Sequence, residues 1–283
     1  MSRISTADLV ADARASGVGV AALNVIQLEH AEAIVDAATS LSRPVILQLS
    51  ENALTFHGSP EPIVAACRAI ADAAQVPVAL HLDHATSIEL CLDAARLGFD
   101  SIMIDASAQS WDENLRITSE VVRICEPQGL WVEAEIGEVG GKSAHTPGAR
   151  TDPGEAERFV ALTGVNGLAI AIGSQHAMRD RSATIDRQLL TRIRQQVAVP
   201  LVLHGSSGLS DTEILAAIEG GITKVNVGTQ LNIALTGAVR MTLDADELLF
   251  EPRRYLGNGR RAMKELAAEL IELIHPSTNQ RNE

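Results

Sequence analysis

Eight short apolar segments, rich in Val, Ile and Leu, recur along the chain, and alanine-rich stretches with helical spacing separate them. This alternation of strand and helix predicts a parallel sheet, because parallel neighbours need a crossover connection. The segments are apolar throughout rather than at alternate positions, so both faces of the sheet should be covered. A count of eight then favours a closed barrel over an open sheet. The predicted strands are 18–25, 44–50, 77–83, 100–106, 130–136, 166–173, 200–205 and 222–228.

The length of the chain fits one domain of this kind. A (β/α)8 barrel commonly uses about 250 residues, and this chain has 283 without a linker or a low-complexity segment. Residues 231–283 have the spacing of further helices. We therefore expect an α/β protein with a single TIM-barrel domain over residues 1–283, in which 231–283 form a C-terminal helical extension.

Composition argues against several classes of partner. The 23 Lys and Arg residues face 36 Asp and Glu residues, a net charge of −13, without a basic block. A nucleic-acid partner is not expected, because binding a phosphate backbone requires a basic face. The sequence lacks a signal-peptide pattern and any run of the roughly 20 apolar residues that span a bilayer, so we expect a cytoplasmic protein without a membrane partner. Cys67, Cys91 and Cys125 lack a CxxC spacing, which disfavours a disulfide framework.

Polar side chains mark the carboxyl ends of the predicted strands, where barrels of this kind carry their chemistry. His84, His176 and His204 follow the third, sixth and seventh strands, so their imidazoles can converge on the barrel axis. A single histidine there is more often an ordinary hydrogen-bonded residue. Three neutral imidazoles with an open fourth position are typical of catalytic zinc. His81 shares a face with Asp83, and we assign it to ligand support or barrel packing.

Four carboxylates share the same predicted rim: Asp83, Asp105, Glu133 and Glu135. A metal beside Asp83 would keep that carboxyl ionised as a base, whereas without a metal it could equally cap the next helix. The other three exceed what three histidines need. They leave open a second cation, catalytic proton transfer, or orientation of the metal ligands.

The last two strand ends have the composition of a phosphate site. HGSSG at 204–208 offers backbone amides and hydroxyls, and KVNVGT at 224–229 adds an amide side chain, a glycine and a hydroxyl. Either motif alone is weak, because Gly-Ser turns are common. The loops after strands seven and eight are the usual phosphate site of this fold, so the two together predict a phosphorylated ligand.

Six ordered motifs resemble the class II, zinc-dependent ketose-bisphosphate aldolases, and the likeness is greatest to the fructose- and tagatose-bisphosphate branch. It extends from Asn24 to about Lys264. The motifs are HLDHA at 81–85, MIDAS at 103–107, VEAEIGEVGG at 132–141, AIAIGSQH at 169–176, VLHGSSG at 202–208 and KVNVGT at 224–229.

The resemblance implies reversible cleavage of a ketose 1,6-bisphosphate to dihydroxyacetone phosphate and an aldehyde phosphate through a zinc-stabilised enediolate. Fructose 1,6-bisphosphate is the default, and tagatose 1,6-bisphosphate or an unusual ketose phosphate is the alternative. His84, His176 and His204 would hold Zn²⁺, and Asp83 would exchange a proton with the C4 hydroxyl. A role in glycolysis and a homodimer or homotetramer are further implications of the same resemblance.

The resemblance also assigns substrate contacts. The residues expected to hold the dihydroxyacetone phosphate end are Gly205, Ser207, Asn226, Gly228 and Thr229. A monovalent cation, Na⁺ or K⁺, is a further expectation near the phosphate. Asn24 and Ser50 would line the pocket, while Asp105 and Glu135 would lie near the metal.

The chain departs from the family pattern at the catalytic loop. After Gly140 and Gly141 the family usually carries an acidic run, one acid of which is thought to move the carbon-bound proton. Here the segment reads KSAHTPGAR and has no carboxylate. Either Glu133, Glu135 or His145 replaces that acid, or the substrate differs.

Two further departures concern phosphate binding. Ala177 follows the second zinc histidine where the family usually has glycine, and a methyl group there would reshape the phosphate pocket. Arg179 or Arg181 could compensate through a bidentate grip. Arg254 and Arg260 are alternatives for the arginine that holds the distal phosphate.

Two other classes of function remain open on the residues alone. A barrel zinc hydrolase could use three histidines and an aspartate to activate water. Such hydrolases usually have His-x-His on the first strand, where this chain has Leu23-Asn24-Val25. A non-catalytic assembly subunit would explain the missing loop acid, although the intact His84 and Asp83 argue against loss of function.

Overall fold

Eight parallel strands form a closed barrel in which every strand pairs with its neighbours in the chain and β8 pairs with β1. The structure is a computed structural model that describes residues 4–136, 150–175 and 178–277. The strands β1 to β8 are Val20–Asn24, Val45–Ser50, Val78–Ala85, Ser101–Ile104, Trp131–Ile136, Gly167–Ile170, Leu201–Leu203 and Ile222–Val227. The predicted (β/α)8 barrel is confirmed.

Helices occupy the connections between the strands and the C-terminal region. The α-helices α1 to α11 are Thr6–Ala15, Leu28–Leu41, Glu51–His57, Pro60–Ala73, Ile88–Leu97, Trp111–Cys125, Pro153–Thr163, Arg187–Gln196, Asp211–Glu219, Thr229–Ala245 and Pro252–Ile274. Short 3₁₀ turns lie at Glu126–Gln128 and Ser206–Gly208. Within these described ranges, no helix combines the length and the apolar character that crossing a bilayer requires.

Local sequence explains where several helices begin and end. Ser87 and Ser110 accept hydrogen bonds from the backbone N–H groups three residues ahead and so cap α5 and α6. Gly98 and Gly164 follow α5 and α7 in the left-handed conformation that glycine adopts without steric cost. These flanking residues therefore determine where α5 begins and ends, where α6 begins and where α7 ends.

The strands separate two apolar cores. One lies between the outside of the barrel and the surrounding helices. The other fills the amino-terminal half of the barrel interior, which is called the lower half here. The inner core contains Met103, Trp131 and Val202, and α1 closes it from below with Leu9 and Val10. Because both faces of each strand meet apolar neighbours, the segments are apolar at nearly every position, as the sequence pattern indicated.

The additional C-terminal helices form a hairpin. α10 and α11 pack against each other, and α11 also packs along α2. The carbonyl of Ile274 at the end of α11 accepts a hydrogen bond from Gly19 N–H, at 2.9 Å, just before β1. The end of α11 is thus fixed at the amino-terminal side of the barrel, while α10 starts at the carboxyl end of β8.

Candidate metal centre and active-site cleft

Asp83 and His84 both face the mouth of the barrel although they are consecutive residues of β3. In a regular strand, neighbouring side chains point to opposite faces. The pairing of β3 with β4 is irregular between Leu82 and Ala85, and His84 has a φ of +49°. This left-handed residue turns its imidazole inward, so one strand supplies two groups to one site. The conformation costs roughly 1–2 kcal/mol for a residue with a side chain.

The imidazoles of His84 and His204 meet at the centre of the mouth. His204 Nδ1 lies 3.0 Å from His84 Nε2, and the rings are nearly perpendicular at 75°. His84 Nδ1 donates to Asp105 Oδ2 at 2.6 Å, and His204 Nε2 donates to Glu133 Oε1 at 2.9 Å. A carboxylate can only accept, so each ring carries its proton on the outer nitrogen. The two inner nitrogens therefore face each other with lone pairs.

This donor set fits a divalent cation. Two lone pairs at 3.0 Å repel unless a proton or a cation lies between them. Two ligands of a tetrahedral zinc ion lie about 3.4 Å apart, since zinc–nitrogen bonds are about 2.1 Å. Ligand atoms of Asp83, His84 and His204 lie within 4.8 Å of one another, as do those of His84, Asp105 and Glu135. Carboxylates that hold the outer ring nitrogens are typical of imidazole ligands to metals.

Burial keeps His204 in the neutral form that binds metal. Desolvation, followed by the charge of His84, holds the pKa of His204 well below its ordinary value. For Asp105, burial alone would raise the pKa, but the hydrogen bond and charge of His84 and two hydrogen bonds from Ser107 hold it well below its usual range. Asp105 therefore remains a carboxylate beside the imidazole it orients.

A cleft of about 210 Å³ opens beside these imidazoles. Its lining residues are Asn24, Val25, Ile26, Gln48, Ser50, Asp83, His84, Gly205, Ser207, Asn226, Gly228, Thr229 and Asn232. Nine of the residues predicted from the sequence thus share one surface: Asn24, Ser50, Asp83, His84, Gly205, Ser207, Asn226, Gly228 and Thr229. Ser50 lies opposite Asp83 in the register of β2 and β3, and its hydroxyl also caps α3 by accepting from Ala53 N–H.

Sequence reasoning missed Gln48 and Asn232 in this lining. Gln48 lies two residues before Ser50 on the same strand and so faces the same side. Asn232 lies one helical turn after Gly228 in α10. Both periodicities were available in the sequence once Ser50 and Gly228 had been singled out.

Two glycines of the predicted phosphate loops lie too close to neighbouring atoms to carry a side chain. A Cβ on Gly205 would lie 2.6 Å from the backbone carbon of Gln175, and Gly205 has a φ of +67°. A Cβ on Gly228 would lie 2.7 Å from Asn24 Oδ1. Gly228 precedes α10 without a side-chain cap, so the first amides of that helix face the cleft without a competing side-chain acceptor. The arrangement suits an anionic oxygen of a ligand.

Several other predicted residues are not part of the described lining of the cleft. His176, Ala177 and the segment 137–149, which includes His145, lie outside the described residues. Glu133 lies beneath the cleft, where its carboxylate accepts a hydrogen bond from His204. Of the roles open to it, orientation of the His204 imidazole is the one that matches this contact. Glu135 Oε2 lies 3.6 Å from His204 Nδ1.

The four arginines are absent from the described lining of the cleft. Arg181 donates to the Leu209 carbonyl at 2.6 Å and pairs with Asp211 at 2.5 Å, so its guanidinium is used away from the mouth. Arg179 is exposed. Arg260 pairs with Glu32 at 2.5 Å, and Arg254 lies 3.6 Å from Asp246. Arg254 and Arg260 line a separate cavity of about 530 Å³ on α11.

Comparisons with known proteins extend over almost the whole chain. A family model described as class-II fructose-bisphosphate aldolase matches residues 4–279. The chain is 35% identical to the YdjI aldolase of Escherichia coli K12, with 98% of this chain and 99% of that chain covered and a TM-score of 0.87. It is 32% identical to a proposed fructose-1,6-biphosphate aldolase from Coccidioides immitis, with 99% of each chain covered and a TM-score of 0.88. The fructose-bisphosphate aldolase of Campylobacter jejuni shares the fold at 22% identity, with a TM-score of 0.84 over 97% of this chain and 96% of that chain.

The zinc-free protein should lose stability as the pH falls below about 6.5, the ordinary pKa of histidine. Burial, together with the charge of Lys224, also holds the pKa of His81 well below 6.5. The unfolded chain then binds protons that folded His81 and His204 exclude. The free energy of unfolding should fall by up to about 1.4 kcal/mol per pH unit for each imidazole. Thermal unfolding at roughly pH 5 to 8 measures this, and a His81→Gln variant should show a shallower slope. An equal slope in the two proteins would contradict the assignment.

Proposed function

The chain belongs to the class II fructose-bisphosphate aldolase family, and on that premise we propose that it cleaves a ketose 1,6-bisphosphate reversibly with zinc held by His84, His176 and His204. Fructose 1,6-bisphosphate is the default substrate, and tagatose 1,6-bisphosphate or another ketose phosphate is the alternative. The products are dihydroxyacetone phosphate and an aldehyde phosphate. The proposal places the reaction in the cytoplasm, within glycolysis.

One observation carries this proposal: Asp83, His84 and the glycine loops line a single small cleft, and the imidazole of His204 faces that of His84 beside it. The loops supply donors for a phosphate at one side. The imidazoles supply nitrogen ligands for a metal at the other side. A phosphorylated ketose spans both, whereas a hydrolase has no need for the phosphate loops.

In the proposed reaction, Asp83 moves the proton that carbon–carbon cleavage releases. Zinc, when bound, supplies Lewis-acid polarisation of the substrate's ketone oxygen. Asp83 accepts the C4 hydroxyl proton, the C3–C4 bond breaks, and C4 becomes the aldehyde carbon. The bond's electron pair stays with the dihydroxyacetone phosphate fragment as its enediolate, which is then protonated at C3. Asn24 Nδ2 donates to Asp83 Oδ2 at 3.3 Å and so holds the carboxylate toward the cleft.

The second proton, at C3, requires another acid. Glu133 is committed to His204, so Glu135 and His145 are the candidates that remain from the sequence. The residues proposed to hold the phosphate are Gly205, Ser207, Asn226, Gly228 and Thr229. Asn24 and Ser50 face the carbon chain, and a Na⁺ or K⁺ ion near the phosphate completes the proposal.

A coupled assay over a panel of ketose bisphosphates tests the reaction. Zinc removal by a chelator should abolish cleavage, and zinc alone should restore it. Cleavage that survives complete zinc removal, or a substrate–lysine adduct trapped by borohydride, would contradict the proposal. The panel also separates fructose from tagatose bisphosphate, which differ in the configuration at C4.

Variants at two positions of the proposed site should separate metal binding from proton transfer. Asp83→Ala should retain zinc and lose at least about 100-fold in kcat, because general base catalysis contributes roughly 10²–10⁴-fold. His204→Ala should lose both zinc and turnover, since it removes a ligand. Zinc content per chain and kcat measured on the same preparations decide the matter, and equal zinc loss in the two variants would refute the roles.

The α10–α11 hairpin is the proposed contact between two copies of the chain. Met241, Leu248 and Phe250 are 70%, 88% and 90% exposed, and apolar patches of this kind mark interaction sites. Acidic Glu247 and Glu251 flank Leu248 and Phe250, and the guanidinium of Arg253 pairs with Glu251. A homodimer, or a homotetramer built from dimers, would bury these apolar side chains about a two-fold axis.

Light scattering on purified protein tests this contact. The double variant Leu248→Ser with Phe250→Ser should shift the protein toward the monomer. Phe56→Ser is the matched control, because Phe56 is 75% exposed on α3 and lies outside the hairpin. Dissociation by the control alone, or a monomeric wild-type protein, would overturn the assignment.

A further inference from the structure

Lys224 of β8 lies inside the barrel, beneath the metal centre, and its side chain is wholly buried. Lysine is almost never buried to this extent without partners. Its Nζ lies 2.9 Å from Glu133 Oε2, 2.9 Å from Asn226 Oδ1 and 3.3 Å from Gln48 Oε1. An ammonium group has three N–H donors and no acceptor. The two amide oxygens accept hydrogen bonds from it, and Glu133 Oε2 forms an ion pair with it. The amine is therefore not available as a nucleophile.

One branch from Lys224 leads to the metal ligand. Glu133 forms an ion pair with Lys224 through Oε2 and accepts a hydrogen bond from His204 Nε2 through Oε1. Lys224 thus orients the Glu133 carboxylate, and that carboxylate orients the imidazole of His204. In this orientation Nδ1 of His204 faces the proposed metal position. Asn226 Nδ2 lies 3.0 Å from the same His204 Nε2, but a protonated nitrogen cannot accept from it.

The other branch leads to the proton-transferring carboxylate. Gln48 accepts from Lys224 through Oε1 and donates through Nε2 to Asn24 Oδ1 at 3.1 Å. Asn24 then donates through Nδ2 to Asp83 Oδ2 at 3.3 Å. A side-chain amide can flip, but a lysine presents donors alone and so holds the oxygen of Gln48 toward itself. The direction of every bond up to Asp83 follows from that choice.

We propose that Lys224 is a positioning residue that sets the direction of hydrogen bonding toward both His204 and Asp83. The role of Asp83 rests on the proposed function, whereas the connection to His204 bears on metal binding alone. Lys224 also balances the charge of Glu133, which lies 3.9 Å from the neutral imidazole of His81. A structural role limited to this charge balance is the competing explanation.

Three variants separate positioning from charge balance. Lys224→Met keeps the length of the side chain and removes its donors. Lys224→Met with Glu133→Gln removes both charges, so it avoids an unpaired buried carboxylate and should fold if the single variant does not. Gln48→Met interrupts the branch to Asp83 alone. Thr163→Val is the control, because it removes a buried hydrogen bond to the Phe159 carbonyl in α7, away from the cleft.

The measurements are the melting temperature of the zinc-free protein, the zinc dissociation constant, the visible spectrum of the cobalt-substituted protein, and kcat and KM. Lys224→Met should weaken zinc binding about 10–100-fold and change the cobalt spectrum. The double variant should recover the melting temperature but not kcat. Gln48→Met should keep zinc affinity and lose about 10-fold or more in kcat with a smaller change in KM. Thr163→Val should change the melting temperature alone.

Three results would overturn the proposal. The first is an unchanged zinc constant and cobalt spectrum in Lys224→Met, and the second is full recovery of kcat in the double variant, which would leave charge balance as the role of Lys224. The third is a borohydride-trapped adduct on Lys224. If the wild-type protein cleaves no sugar of the panel, the proposed function fails, while zinc binding and the cobalt spectrum still test Lys224.

Discussion

The polar side chains at the centre of the barrel are buried away from solvent, and this desolvation constrains how they are arranged. A buried polar group without a partner is costly, so each one placed there has to be bound by another. Asp105 holds His84, and Glu133 holds His204. A group whose donors and acceptors are all satisfied has a single favoured orientation. The geometry of the cleft therefore follows from desolvation as much as from the choice of catalytic side chains.

Sequence pattern was sufficient for the fold because the two cores make each strand apolar on both faces. The predicted strands 100–106, 166–173 and 200–205 are longer than Ser101–Ile104, Gly167–Ile170 and Leu201–Leu203. In all three, most of the extra predicted residues lie at the carboxyl end, where strand pairing stops and the chain continues as a loop with polar residues. The pattern locates these boundaries imprecisely because apolar residues such as Ile172 continue past the last paired position.

Other features depend on contacts that periodicity does not encode. Alternation along β3 would put Asp83 and His84 on opposite faces, and only the left-handed backbone at His84 brings them together. Lys224 is the only charged residue of β8, so its role depends on which oxygens surround it. Arg181 and Arg260 have long side chains, and tertiary packing decides which carboxylate each one meets.

The packing of α1 against the lower interior has a consequence for traffic through the barrel. Leu9 and Val10 close the amino-terminal end of the barrel, so the cleft opens only at the carboxyl ends of the strands. On the proposed function, metal and sugar share one aperture, and a sugar bound over the ion would block the ion's exit. The cation would then bind first, and a saturating ligand would protect it from chelators in solution.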